Sequence, residues 1–174
     1  MMLLTLDQLN ALDREDFVAA LSGLFEGPPW IVDQVWAARP FASRDALYDA
    51  LCHIMFDAPV ERQVALIRAH PDLVGRAALA GTLTPASTAE QAAAGLDQLT
   101  PEQIAAFARL NAEYQQRFGF PFVICARANK TQSILAGFGE RIGHSREKEI
   151  ATALGEVAKI CRLRLMDTVA ADER

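Results

Sequence analysis

The first side chain placed to do chemistry is His70, in "RAHPDLVGRAALAGTL", residues 68 to 83. A helix-like run, "APVERQVALIRA", leads into it, and Pro71 follows at once. A residue before proline avoids the α region, so the helix is predicted to stop at His70. A helix C-terminus favours imidazolium and an apolar pocket favours the neutral ring, which leaves the protonation of His70 open to tuning. Pro71 limits backbone freedom and helps to fix where the ring points. Both an acid–base role and a plain helix cap fit this position.

A second signal lies in the last helix-like run, "SREKEIATALGEVAKICRLRLMDTVA". At about 100° per residue, Ile150, Ala153, Leu154, Val157, Ile160 and Cys161 form one apolar stripe. Arg164 falls inside that stripe, whereas Lys159 and Arg162 lie on the polar side. A guanidinium does not give up its charge, so burying one calls for an anionic or strongly accepting partner. Arg164 either snorkels out or meets a structural carboxylate, or it faces a pocket and grips an anionic or carbonyl-bearing ligand. Periodicity does not separate these readings.

A third group is "STAEQ". Ser87 and Glu90 have capping-box spacing, which would satisfy two backbone amides without any catalysis. Gln91 and the amides of that first turn would remain available for an anionic ligand. Of the other histidines, His53 is expected at the edge of the core and His144 in a solvated turn, "GHSR". No two histidines have the i, i+4 spacing of a metal-binding helix, and no Gly-rich phosphate loop or GxSxG elbow occurs. Neither a metal nor a nucleotide or electron-sink cofactor is expected.

Helix punctuation sets the elements that carry these groups. Asp13 and Ser43 are predicted N-caps, Pro29 and Pro59 open helices, and Thr100-Pro101 with Gln103 starts a long helix ending near Gly119. A turn at residues 128–130 precedes "TQSILAGFGERIG". The single strand-like run, "FPFVICA" at residues 120–126, has no partner in the sequence, so it is expected to thread between helices. The expected fold is all-α: one domain over residues 1–174, a bundle of about eight helices with one short extended segment.

Composition narrows the function classes. The 174 residues are 51% apolar and 22% charged, which reads as a soluble globular protein. A net charge of −5 argues against a nucleic-acid partner. No apolar run approaches the roughly 20 residues of a membrane span, and the acidic start does not read as a secretory signal. Cys52, Cys125 and Cys161 are expected to be reduced thiols in apolar surroundings, consistent with a cytoplasmic protein.

Taken in order, "HPDLVGRAALAGTLT", "STAEQAAAGLDQL", "FARLNAEYQQRFGFPFVICARANK", "ILAGFGERI" and "GEVAKICRLRL" resemble the 2-oxo-4-hydroxy-4-carboxy-5-ureidoimidazoline (OHCU) decarboxylases of urate breakdown. The resemblance spans about residues 10–169. It implies an all-helical homodimer that uses no metal or organic cofactor and acts on a small ureidoimidazoline. It matches His70 to the catalytic histidine, Glu90 to a substrate-facing helix start and Arg164 to a ligand-contacting arginine of the final helix; these three are the expected catalytic residues. Pro71, Ser87 and Gln91 match substrate-contacting positions. Phe122, Val123, Ile124, Cys125 and Ala126 match an extended segment that meets the substrate largely through its backbone. The family's eukaryotic members often end in a peroxisomal tripeptide; its absence from "DTVAADER" points to a bacterial cytoplasm. Two other readings stay open: a related cofactor-free ureide hydrolase or decarboxylase on the same scaffold, and a non-catalytic helical interaction module.

Overall fold

A computed structural model of the chain describes residues 3–171. Its helices are α1 (Leu6–Ala11), α2 (Arg14–Leu21), α3 (Trp30–Val35), α4 (Arg44–Asp57), α5 (Val60–Arg68), α6 (Arg76–Leu79), α7 (Pro85–Ala93), α8 (Pro101–Phe118), α9 (Thr131–Arg141) and α10 (Arg146–Met166). Among the described residues the only β pairing is one isolated parallel bridge, Leu4 with Val169. The all-α expectation holds, but the count rises from eight to ten. The two additions are short. In α1, Thr5 and Gln8 form a capping box, while α6 is a single turn. No described helix is long and apolar enough to cross a membrane.

The chain divides into two compact units, with boundaries inside α5 and α10. The first holds the chain up to Gln63 together with Ala158 onward. Its core includes Leu9, Phe17, Leu21, Leu47, Leu51 and Met55. Helix starts follow the predicted caps: the side chains of Asp13 and Ser43 accept from the amides of Asp16 and Ala46. Arg39 closes the α1–α2 turn, donating to the carbonyls of Asn10 and Leu12 while lying 4.4 Å over the Trp36 ring.

The second unit runs from Val64 to Val157 and centres on aromatic rings. Phe107, Tyr114 and Phe118 fall on one face of α8, at helical spacing. Thr100 and Gln103 cap its start as predicted, and Gly119 ends it in the left-handed conformation, φ 78°. Pro121 then prevents helix from restarting at Phe120, and residues 121–125 form neither helix nor strand, with Cys125 extended at the end of the run. Phe122 stacks on Phe138 with ring centroids 3.8 Å apart, and Tyr114 meets Phe122 edge-on at 5.3 Å.

Within this apolar cluster sits a charged one. Glu149, in the first turn of α10, is completely buried. The Tyr114 hydroxyl donates to it at 2.6 Å, Arg141 from α9 pairs with it, and His144 Nδ1 lies 2.9 Å from its other oxygen. Burial, then the bond to Glu149, push the Tyr114 hydroxyl well above its ordinary pKa and keep it a donor. Arg141 also donates to the Val123 carbonyl at 2.6 Å and covers the Phe122 ring at 4.2 Å. The extended segment is thereby tied to α9, and through Glu149 to α8 and α10.

Two histidine expectations change. His144 is not a solvated turn residue, because the carboxylate it meets belongs to the buried cluster; its side chain is 14% exposed. His53 lies out in solvent rather than at the core edge, 3.2 Å from Asp57 one turn along α4. All three cysteines are thiols rather than disulfides, with Cys125 and Cys161 buried, and burial pushes the Cys161 thiol well up.

Truncating Glu149 to alanine leaves the Arg141 charge buried without its carboxylate. Urea unfolding of Glu149→Ala is expected to show a loss of about 3–5 kcal/mol. An unchanged midpoint would mean that the cluster does not hold the second unit together.

Candidate functional site

His70 follows α5, with its backbone amide bonded to the Ile67 carbonyl at 3.1 Å. The ring is buried, and Nδ1 lies 2.9 Å from the carbonyl oxygen of Leu66, four residues back. A carbonyl only accepts, so Nδ1 carries the proton, and the neutral ring holds its basic lone pair on Nε2. The contact adds the ring to a helix-end carbonyl that also accepts from the Ala69 amide at 3.2 Å. Capping the helix and fixing the tautomer are thus one interaction, and the two sequence readings of His70 do not compete.

Side chains hold the loop after His70 in place of secondary structure. Gln115 donates to the Asp72 carboxylate at 2.7 Å, and Asn111 donates to the Leu73 carbonyl at 2.8 Å. The Val74 amide donates to Gln91 Oε1 at 3.1 Å, while Gln91 Nε2 reaches the Asp72 carbonyl at 3.5 Å. Val74 has φ 52°, which a β-branched residue rarely adopts. At Gly75 a Cβ would lie 2.5 Å from Asp72 Cβ, so no larger residue fits the turn.

Ser87, Glu90 and Gln91 all lie on α7, but the predicted cap is displaced. Thr84 is the N-cap, its hydroxyl accepting from the Ser87 amide at 3.1 Å, and Pro85 opens the helix. Proline at the first helical position lacks an N–H and has a helix-ready φ, which moves the start three residues earlier than the capping-box reading placed it. Ser87 and Gln91 are therefore buried side chains one turn apart within the helix, with half-buried Glu90 beside them. Gln91, expected to read substrate, here bonds the backbone of the 72–74 loop.

Two cavities of about 420 and 340 Å³ flank that loop. The larger is mainly apolar, with Val74, Leu79, Gln91 and Leu96 in its wall; Asp72, Arg76, Asn111 and Gln115 line part of the smaller.

The extended segment already commits part of its backbone to the protein. The Val123 carbonyl accepts from Arg141, and the Cys125 amide donates to Glu156 at 2.8 Å. Phe122, Val123, Cys125 and Ala126 are buried, and Ile124 is half-buried. In the other unit, Arg164 is buried as the stripe required, and Glu26 answers its charge at 3.0 Å. It also donates to the Gly23 carbonyl at 3.1 Å. The structural-carboxylate reading of Arg164 therefore has a named partner. Sequence reasoning missed Asn111, Gln115, Arg141 and Glu149. For Asn111 the signal was present, since it interrupts the Phe107–Tyr114–Phe118 face as Arg164 interrupts its own.

This architecture is a known helical enzyme fold. The structure superposes on "(S)-allantoin synthase" with a TM-score of 0.76 and 24% identity, covering 95% of this chain and 54% of that one. The sequence matches the family model described as OHCU decarboxylase over residues 10–166. It is 42% identical to the 2-oxo-4-hydroxy-4-carboxy-5-ureidoimidazoline decarboxylase of Halalkalicoccus jeotgali, over 93% of this chain and 90% of the relative. It is 43% identical to the protein of that name from Amia calva, over 93% of each. The chain belongs to the OHCU decarboxylase family, which are carboxy-lyases. With archaeal and animal relatives, the likeness gives no support to the bacterial source expected above.

The close contact at Gly75 yields a direct test. Gly75→Ala has to displace the Asp72 backbone, an overpacking cost of about 1–3 kcal/mol. Thermal unfolding is expected to shift down accordingly, and an unshifted melt would show that the turn yields freely.

Proposed function

We propose that this chain removes carbon dioxide from OHCU to give (S)-allantoin in urate breakdown, with residues 1–174 acting as one catalytic domain. Membership of the decarboxylase family supports the reaction class. The observation that carries the chemistry is His70, a buried imidazole whose proton is held at Nδ1 and whose basic nitrogen is therefore Nε2.

The substrate bears a carboxylate on a carbon that also carries a hydroxyl, beside a ring C=N. When the C–C bond to the carboxylate breaks, its electron pair moves into that C=N and carbon dioxide departs. The substrate is its own electron sink, so no metal or organic cofactor is needed for the step. The protein's tasks are orientation, charge placement and proton transfer. In this reading His70 Nε2 handles the proton of the hydroxyl or supplies one to the developing anion, and Glu90 orients ring or substrate. Arg164 steadies charge on ring or ureido oxygens. It does not clamp the leaving carboxylate, since stabilising that group in the ground state would slow its loss.

Ser87 and Pro71 are assigned to substrate contact, as is the 122–126 segment through its backbone. Gln91 contacts substrate in this assignment while holding the loop. A homodimer, a cytoplasmic location and the absence of a nucleic-acid partner belong to the same proposal.

The deciding experiment generates OHCU from urate enzymatically, adds this protein, and follows chiral allantoin by circular dichroism together with released carbon dioxide. One enantiomer rising faster than in the spontaneous reaction is expected. A racemic product at the uncatalysed rate, or ring opening without carbon dioxide, would overturn the assignment. His70→Asn is expected to lower kcat by about 10²- to 10⁴-fold with the far-ultraviolet spectrum retained. Arg164→Lys keeps the charge but loses the forked donors, so kcat/KM should fall about ten- to hundredfold. Parent turnover in either folded variant would remove that residue from the mechanism.

A further inference from the structure

We propose that Asn111 is a positioning residue, which sets the aim of His70 by clamping the peptide between Leu73 and Val74. The inference rests on the decarboxylase reading for its kinetic effect, but not for its structural one.

The carbonyl of Leu73 and the amide of Val74 belong to the same peptide unit. Asn111 of α8 donates to the carbonyl at 2.8 Å, and Gln91 of α7 accepts from the amide at 3.1 Å. Two side-chain amides from two helices thus grip opposite ends of one peptide plane. The plane is strained, because its valine is held at φ 52°. Rotating it would let Val74 return to an ordinary conformation but would break both bonds at once. The clamp is what makes the strained conformer the stable one.

His70 lies three residues before this peptide, and Pro71 leaves little freedom between them. Its ring is held from one side by the Leu66 carbonyl. The chain on the other side is held by the clamp, by Gln115 on Asp72, and by the turn that Gly75 closes. Releasing the 73–74 peptide frees that second side, and ångström-scale errors in placing a catalytic group cost large factors in rate.

The chemistry of position 111 also points beyond packing. Asn111 lies on the buried face of α8 with Phe107, Tyr114 and Phe118. A leucine of similar size suits that environment, whereas a buried amide is costly unless it bonds. The bond it makes is to Leu73.

Two variants and one spectrum test the proposal. In Asn111→Leu the donor is gone, and kcat is expected to fall about ten- to hundredfold with KM within about threefold. Asn111→Asp keeps the shape. Its ionised carboxylate cannot donate to Leu73, but the protonated acid can. Its kcat should therefore be low at neutral pH and climb toward the parent as pH falls, an acid-side gain that the parent lacks. Without substrate, ¹⁵N signals of the His70 ring should be a single set in the parent and broadened or doubled in Asn111→Leu.

Parent kcat in folded Asn111→Leu, a parental pH profile in Asn111→Asp, or unchanged His70 signals in Asn111→Leu would each overturn the clamp. If Asn111→Leu does not fold, the isosteric aspartate variant decides by its pH profile and its ring signals. A parent protein inactive on OHCU would sink the decarboxylase reading alone, because the ring signals report on the clamp without turnover.

Discussion

A carboxylate with no exposed surface cannot be left without donors, and much of the second unit follows from that constraint at Glu149. Tyr114, Arg141 and His144 come from α8, from α9 and from the turn before α10, and all reach it. Such a cluster need not add net stability over a well-packed apolar one. It does specify one arrangement, because any register shift among these elements strands a charge. Arg141 extends the constraint to residues 120–125 by bonding the Val123 carbonyl and covering the Phe122 ring. An extended segment without a sheet partner thereby acquires a fixed course.

The loop after His70 shows the same principle with neutral groups. Backbone that is neither helix nor sheet still needs its hydrogen bonds satisfied when buried. Gln91 and Asn111 supply them to Asp72, Leu73 and Val74 from two flanking helices, and Gln115 holds the Asp72 carboxylate. Loop geometry is in this way referred to rigid elements. A proline, a left-handed valine and a glycine in close contact fit into the five residues 71–75.

Much of the architecture was legible because helix ends are local chemistry. Asp13, Ser43, Thr100 and Gly119 act within one turn of where they sit in sequence. The start of α7 was misread because two overlapping signals compete: S-x-x-E imitates a capping box, while Thr84-Pro85 makes the actual cap. Arg164 was legible as an anomaly, but its partner was not, since Glu26 lies 138 positions away and nothing local links them. His144 was misjudged because a polar turn gives no hint that the next helix buries a carboxylate. Asn111 and Arg141 were within reach of the stripe argument used for the last helix, as each sits on a face of apolar residues.

The imidazole of His70 has one nitrogen committed to the Leu66 carbonyl. In the proposed role it therefore has a single port: a proton that arrives at Nε2 must leave from Nε2. It cannot be handed through the ring from one side of a substrate to the other. An imidazole so tethered serves one face of the molecule before it. If His70 is the group that protonates the developing anion, the same tether would set the handedness of the product.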